Sequence, residues 1–156
     1  MKKFTSFTFI KTQTTNPVSV QLAKMLGYEP FPDGEWRYEN DTEIGCMYRP
    51  IKPLPHVKFD NRCPTTFDPF RTGVDTMAVQ SLLNISTKFE TIGGQRYVAA
   101  SNDEHSVRVQ VQKSEHHTGA ATAIQAAIMA CAMLHVQEKF GVVYTPDEIR
   151  AVPDGK

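Results

Sequence analysis

Apolar and polar positions alternate with a helical and a strand period along this chain, and the clearest run is Thr118 to Phe140, TGAATAIQAAIMACAMLHVQEKF. Ile124, Ile128, Cys131 and His135 recur at the spacing of one helical face, with Ala120, Ala123, Ala127 and Ala130 widening it, which predicts a buried helix. Alanines in that stripe let a helix approach a sheet closely. Thr118 is placed to cap its first turn, and Gly141 suits the residue after its last. A first helix is predicted where Asn16–Pro17 opens VSVQLAKMLGY: an N-cap, a proline at the first helical position, an apolar face of Val18, Leu22, Met25 and Leu26, and Gly27 as the stop. A second is predicted over Asp75–Leu83, entered through Arg71–Thr72–Gly73, with Val74, Ala78, Leu82 and Leu83 on its apolar side.

Strand patterns fill most of the remainder. Phe89–Ala100, broken by Gly93–Gly94, and Val107–Val111 read as a hairpin joined by Ser101–Asn102–Asp103–Glu104. Phe4, Phe7 and Phe9 suggest a short N-terminal strand or arm. Val142–Val143–Tyr144 suggests a short strand, and Thr145–Pro146–Asp147–Glu148 the start of a helical turn reaching Arg150. Residues 28–69 hold most of the ten prolines together with Trp36, Tyr38, Tyr48, Phe59 and Phe67, which predicts a largely irregular segment. A structureless loop that long is unusual, so a hairpin is expected near Glu35–Tyr38 and Ile44–Arg49. These elements make one α+β domain spanning residues 1–156.

Composition narrows the function classes. Seventeen basic residues balance seventeen acidic ones, so no bulk attraction to DNA or to an anionic membrane is expected. No stretch approaches the roughly 20 apolar residues of a membrane span. Cys46, Cys63 and Cys131 are an odd number without a secretory-type start, which favours free thiols. Cys46, His56 and Cys63 lack the close-paired spacing of zinc ligands, so no metal and no cofactor is expected. His116–His117 reads as a solvated turn, Cys131 as a core residue, and no nucleophile motif of a hydrolase is present.

Two features point to an anionic ligand. Arg49, Lys52, His56, Lys58 and Arg62 interleave with Tyr48 and Phe59, a mixture able to stack a base and pair with phosphate. His117–Thr118–Gly119 would present free N–H groups at a helix start. The expected binding set is therefore Trp36, Tyr48, Arg49, Phe59, Arg62, Arg71, His117, Thr118 and Gly119, with no catalytic residue. Proline-rich Arg49–Pro55 is the alternative contact, for a protein partner. Apparently exposed aromatics, with Met129 and Met133 off the main helical stripe, suggest a homo-oligomer.

The ending LAKMLGY of the first helix, with Leu22, Ala23, Leu26, Gly27 and Tyr28, and the entry FDPFRTGVD of the second, with Phe67, Asp68, Pro69 and Asp75, can be set beside the hairpin and the Ala-rich helix. Together they resemble the phage ABA-sandwich domain, the family that includes the phage NinX proteins. That resemblance implies a small antiparallel sheet with helices on both faces, in an accessory protein of a bacteriophage working in the bacterial cytoplasm. It implies no reaction. By analogy with small phage counter-defence proteins, the expectation is a non-enzymatic sponge that sequesters a nucleotide-like signal; the alternatives are an inhibitor of a host protein and a hydrolase of such a signal.

Overall fold

The computed structural model describes the backbone of residues 6–9, 16–30, 36–39, 42–50, 65–111, 119–144 and 149–152, and the side chains of 16–28, 67–111 and 121–144. Among the described residues are three helices and nine strands, an α+β fold. In chain order they are β1 (Ser6–Phe9), α1 (Pro17–Met25), β2 (Tyr28–Pro30), β3 (Trp36–Glu39), β4 (Thr42–Pro50), β5 (Thr65–Thr66) and α2 (Gly73–Leu82). There follow β6 (Ser86–Ile92), β7 (Gln95–Ser101), β8 (Ser106–Gln110), α3 (Gly119–Phe140) and β9 (Ile149–Val152).

The main sheet has the order β6-β7-β8-β1-β9. One end of it, β6-β7-β8, is a meander rather than the single hairpin expected: Gly93 and Gly94 are not an interruption within one strand but the two-residue turn between β6 and β7. Both have positive φ, 57° and 77°, which a tight hairpin turn requires and glycine adopts without strain. β1 then runs parallel to β8 and antiparallel to β9, with Ser6 opposite Val152 and Phe9 opposite Ile149. This corrects the helical turn expected to reach Arg150, because Ile149 and Arg150 already lie in β9. Val142–Tyr144 is not a strand either; Tyr144 sets its ring edge-on against Phe70, 6.3 Å between centroids. The second sheet, β2-β4-β3 with β5 on β4, contains the expected hairpin: Trp36 faces Cys46 and Glu39 faces Thr42. Four strands thus occupy a segment that composition suggested was mostly irregular.

α3 is the middle of the core. It lies against β7, β8 and β1, while α1 and α2 pack on it from elsewhere. Being enclosed by both sheet and helices, it buries Ala123, Ala126, Ala127, Ala130 and Ala132 together with Ile128, Cys131 and Val136. Large side chains at those alanines would hold the layers apart. Met129 is fully buried at 0 % exposure and Met133 is half-buried, so the methionines do not form the outward surface expected of them. On the sheet, Val98, Ala100, Val107 and Val109 face this core. The alternate positions Tyr97 and Ala99, on the other side of β7, are buried as well.

The helix starts are built as their sequences dictate. Asn16 Oδ1 accepts from Ser19 N at 2.8 Å, with Pro17 as the first helical residue, and α1 ends at Gly27 with φ 93°. α2 is docked by its polar residues. Thr76 Oγ1 donates to Pro69 O (2.6 Å) and accepts from Gln125 Nε2 of α3 (2.9 Å), and Asp75 Oδ2 accepts from Asp68 N (2.9 Å). Thr76 and Val79 therefore turn inward, and Val74, expected on the buried side, is 75 % exposed.

Candidate metal centre

The connection from β7 to β8 is a tight turn organised by one side chain. Asn102 Oδ1 accepts from the backbone N of Glu104 (3.0 Å) and of His105 (2.8 Å), while Asn102 N donates to His105 O (3.0 Å). Asn102 Nδ2 reaches across to Leu83 O at the end of α2 (3.3 Å), tying the turn to the helix layer. The turn is thereby held over the last turns of α3. On that helix Cys131, His135 and Lys139 follow one another at i, i+4 and i+8, with Glu138 beside them, and Cys131 Sγ donates to His105 O at 3.9 Å.

Glu104, His105 and His135 converge there, each with one donor atom within 4.8 Å of the others. Glu104 Oε2 is 3.7 Å from His105 Nε2 and 3.9 Å from His135 Nδ1, and the two rings meet edge to face at 5.7 Å. Tetrahedral ligands about 2.1 Å from a metal are separated by roughly 3.4 Å, so a closure of a few tenths of an ångström would bring Glu104 Oε2 to coordinating separation from each imidazole nitrogen. The carboxylate is already aimed. Lys139 Nζ holds its other oxygen, Oε1, at 3.0 Å.

Two of the three donor atoms are anomalous for a protein interior. His105 Nε2 and His135 Nδ1 are both buried and make no hydrogen bond; Glu138 Oε2, 3.0 Å from His105 Nε2, supplies an ion-pair contact without hydrogen-bond geometry. For His135 Nδ1, whose nearest carboxylate oxygen is 3.9 Å away, leaving the atom unsatisfied costs on the order of 1–3 kcal/mol. Burial lowers the pKa of His135, opposed by the neighbouring Glu104, so the neutral imidazole that binds metals is favoured. The hydrogen bond from Lys139 holds Glu104 below the usual carboxylate range, and Glu104 in turn raises Lys139. Cys131 is no donor: burial pushes its thiol up to about 11, and it remains protonated.

Most of the binding set expected from the sequence lies elsewhere. Trp36 is in β3, Tyr48 and Arg49 are in β4 opposite Pro30 and Glu29, and Gly119 is the first residue of α3; for these the backbone position is described. Phe59, Arg62, His117 and Thr118 lie outside the described residues, as do His56, Cys63 and His116. Arg71 is exposed on the turn into α2, with Nε 3.7 Å from Asp68 Oδ2. The triad was missed because Glu104 read as a turn residue and His135 as one more position on a helical face. Thirty residues of chain separate His105 from His135, and no ligand spacing of known type links them. Its one local trace is His135-x-x-Glu138 on the helix, beside Glu104–His105 in a turn. The chain matches no protein-family model, and no curated protein or solved structure shows significant similarity to it.

Proposed function

We propose that this protein binds one divalent transition-metal ion through Glu104, His105 and His135, and that the ion's open coordination position captures an anionic small molecule. The observation that carries this reading is the convergence of a carboxylate with two buried imidazole nitrogens that have no hydrogen bond. Two imidazoles and one carboxylate are the donor set of sites that keep a position open, and imidazole favours zinc and its neighbours over magnesium or calcium. The carboxylates of Glu104 and Glu138 offset the charge of a dication, and Lys139 beside them leaves the site with surplus positive charge. An anion is the fitting fourth ligand.

The nucleotide-like signal expected from the sequence belongs to that ligand class, and sequestration by a phage accessory protein in the bacterial cytoplasm is the role we assign to it. The accompanying architecture is proposed to have helices on both faces of the main sheet; α3 lies on one, and the burial of Tyr97 and Ala99 supports a cover on the other. Hydrolysis is the competing outcome at the same centre, because a metal-bound water would be a nucleophile. The test is to load the protein with zinc chloride, isolate it after incubation in bacterial extract, release the bound material by denaturation and identify it by mass. An intact anion bound only in the presence of zinc supports sequestration. A cleaved product indicates hydrolysis, and no zinc-dependent ligand refutes the anion assignment.

An inhibitor of a host protein is the second reading, favoured by α2, whose outer side exposes Val74 and Met77 one turn apart. Replacing both with aspartate would abolish recovery of a stoichiometric host partner under this reading and leave zinc binding intact. Among the described residues no helix is long and apolar enough to cross a membrane.

A further inference from the structure

The main sheet ends at β6, which pairs with β7 on one side and, among the described residues, with nothing on the other. β6 is seven residues long, and its side chains are exposed or half-buried throughout. Phe89 and Ile92 are 47 % and 43 % exposed, and the Arg96 guanidinium lies 4.1 Å above the Phe89 ring. An exposed edge of this length with apolar side chains is a template for another strand.

The charges on β6 specify which strand. Lys88 and Glu90 flank Phe89 and lie 3.2 Å apart on the same side of the strand. We infer that a second copy of this chain pairs with it antiparallel, edge to edge, about a twofold axis at Phe89. In that register Lys88 of each copy faces Glu90 of the other, Thr87 faces Thr91, and Ser86 faces Ile92. Moving the axis one residue either way sets Lys88 against Lys88 or Glu90 against Glu90. In-register parallel pairing sets both like-charged pairs face to face. Only the Phe89-centred arrangement matches opposite charges twice, as an isologous contact does. An unrelated partner strand has no reason to match this pattern. The dimer joins two five-stranded sheets into one of ten strands. Metal binding plays no part in it, so the two ideas fail separately.

Sedimentation equilibrium on the full chain provides the test. The wild-type protein is expected to be a dimer, and K88E, which sets carboxylate against carboxylate, to raise the dimer dissociation constant at least tenfold. Mixing K88E with E90K restores dimers, because one copy then carries two carboxylates and the other two ammonium groups. E90K also loses the contact of Glu90 with Arg108 (3.4 Å), so a second variant guards against misfolding: F89C, at an exposed position, is expected to form a disulfide-linked dimer on mild oxidation. A monomeric wild type, a K88E variant that dimerises equally well, or F89C that does not cross-link would overturn the proposal.

Discussion

Replacing Asn102 with alanine tests how the turn over α3 is held. The amide group makes three hydrogen bonds, to Glu104 N, His105 N and Leu83 O. A hydrogen bond in a protein contributes a net of about 0.5–1.5 kcal/mol. The bond to Glu104 N is exposed and water can replace it, whereas those to His105 N and Leu83 O are partly buried, so the expected loss is about 2 kcal/mol. For a chain of this size that corresponds to a fall of roughly 4–8 °C in Tm. The larger effect is on metal, because the turn orients two of the three donors. Loss of an outer-shell partner typically weakens affinity 10–100-fold. Asn102→Asp separates the two roles: its carboxylate still accepts from Glu104 N and His105 N, but it cannot donate to Leu83 O. It should cost about 1 kcal/mol and keep zinc affinity near wild type. Urea unfolding of the metal-free protein and zinc titration against a chelator measure both quantities. If Asn102→Ala binds zinc within twofold of wild type, or if both variants lose affinity equally, the turn does not organise the donors as described.

Three further perturbations probe the frame. Thr76→Val keeps the shape but removes the bonds to Pro69 O and Gln125 Nε2, and should cost about 2 kcal/mol in urea unfolding; an unchanged midpoint would mean that α2 is docked by apolar contacts alone. Ala127→Leu forces bulk into a fully buried position between α3 and its neighbours, and should destabilise by about 1–3 kcal/mol, where a gain would show α3 to be less closely packed. His135 has a lowered pKa when folded, so in the metal-free protein its contribution is fully present above about pH 6.5 and is lost as pH falls through the folded value. Thermal melts from pH 7.5 downward should therefore fall more steeply for wild type than for His135→Gln; equal slopes would remove His135 from the account.

How much of this was legible in the sequence depended on whether local chemistry or distant pairing decided each element. Asn16–Pro17 and Gly27 delimited α1 because caps act within a few residues. The Ala-rich run declared α3, but which sides of it are buried depended on β7, β8, α1 and α2, so Met129 was misplaced. Val74 faces outward despite its apolar side chain because the bonds that dock α2 belong to Asp75 and Thr76. Thr145–Pro146–Asp147–Glu148 carries good helix-start signals, yet the residues after it pair with β1 from the other end of the chain, and that ladder prevails over local propensity. The candidate site was the least legible part. Its donors come from a turn and from a helix end, and proximity arises only when α3 packs across the sheet. Cys46, His56 and Cys63 have the residue types of zinc ligands but not the close-paired spacing.

The measurement that bears most directly on the metal centre is zinc affinity by chelator competition, run on wild type, Glu104→Gln, His105→Ala, His135→Ala and a Cys46→Ser/Cys63→Ser double variant. Coordination by Glu104, His105 and His135 predicts one zinc per chain, affinity reduced by at least about tenfold in each of the three single variants, and no change in the cysteine variant. A wild type that binds no zinc, or a zinc that is lost with the cysteines and kept without the histidines, would contradict it.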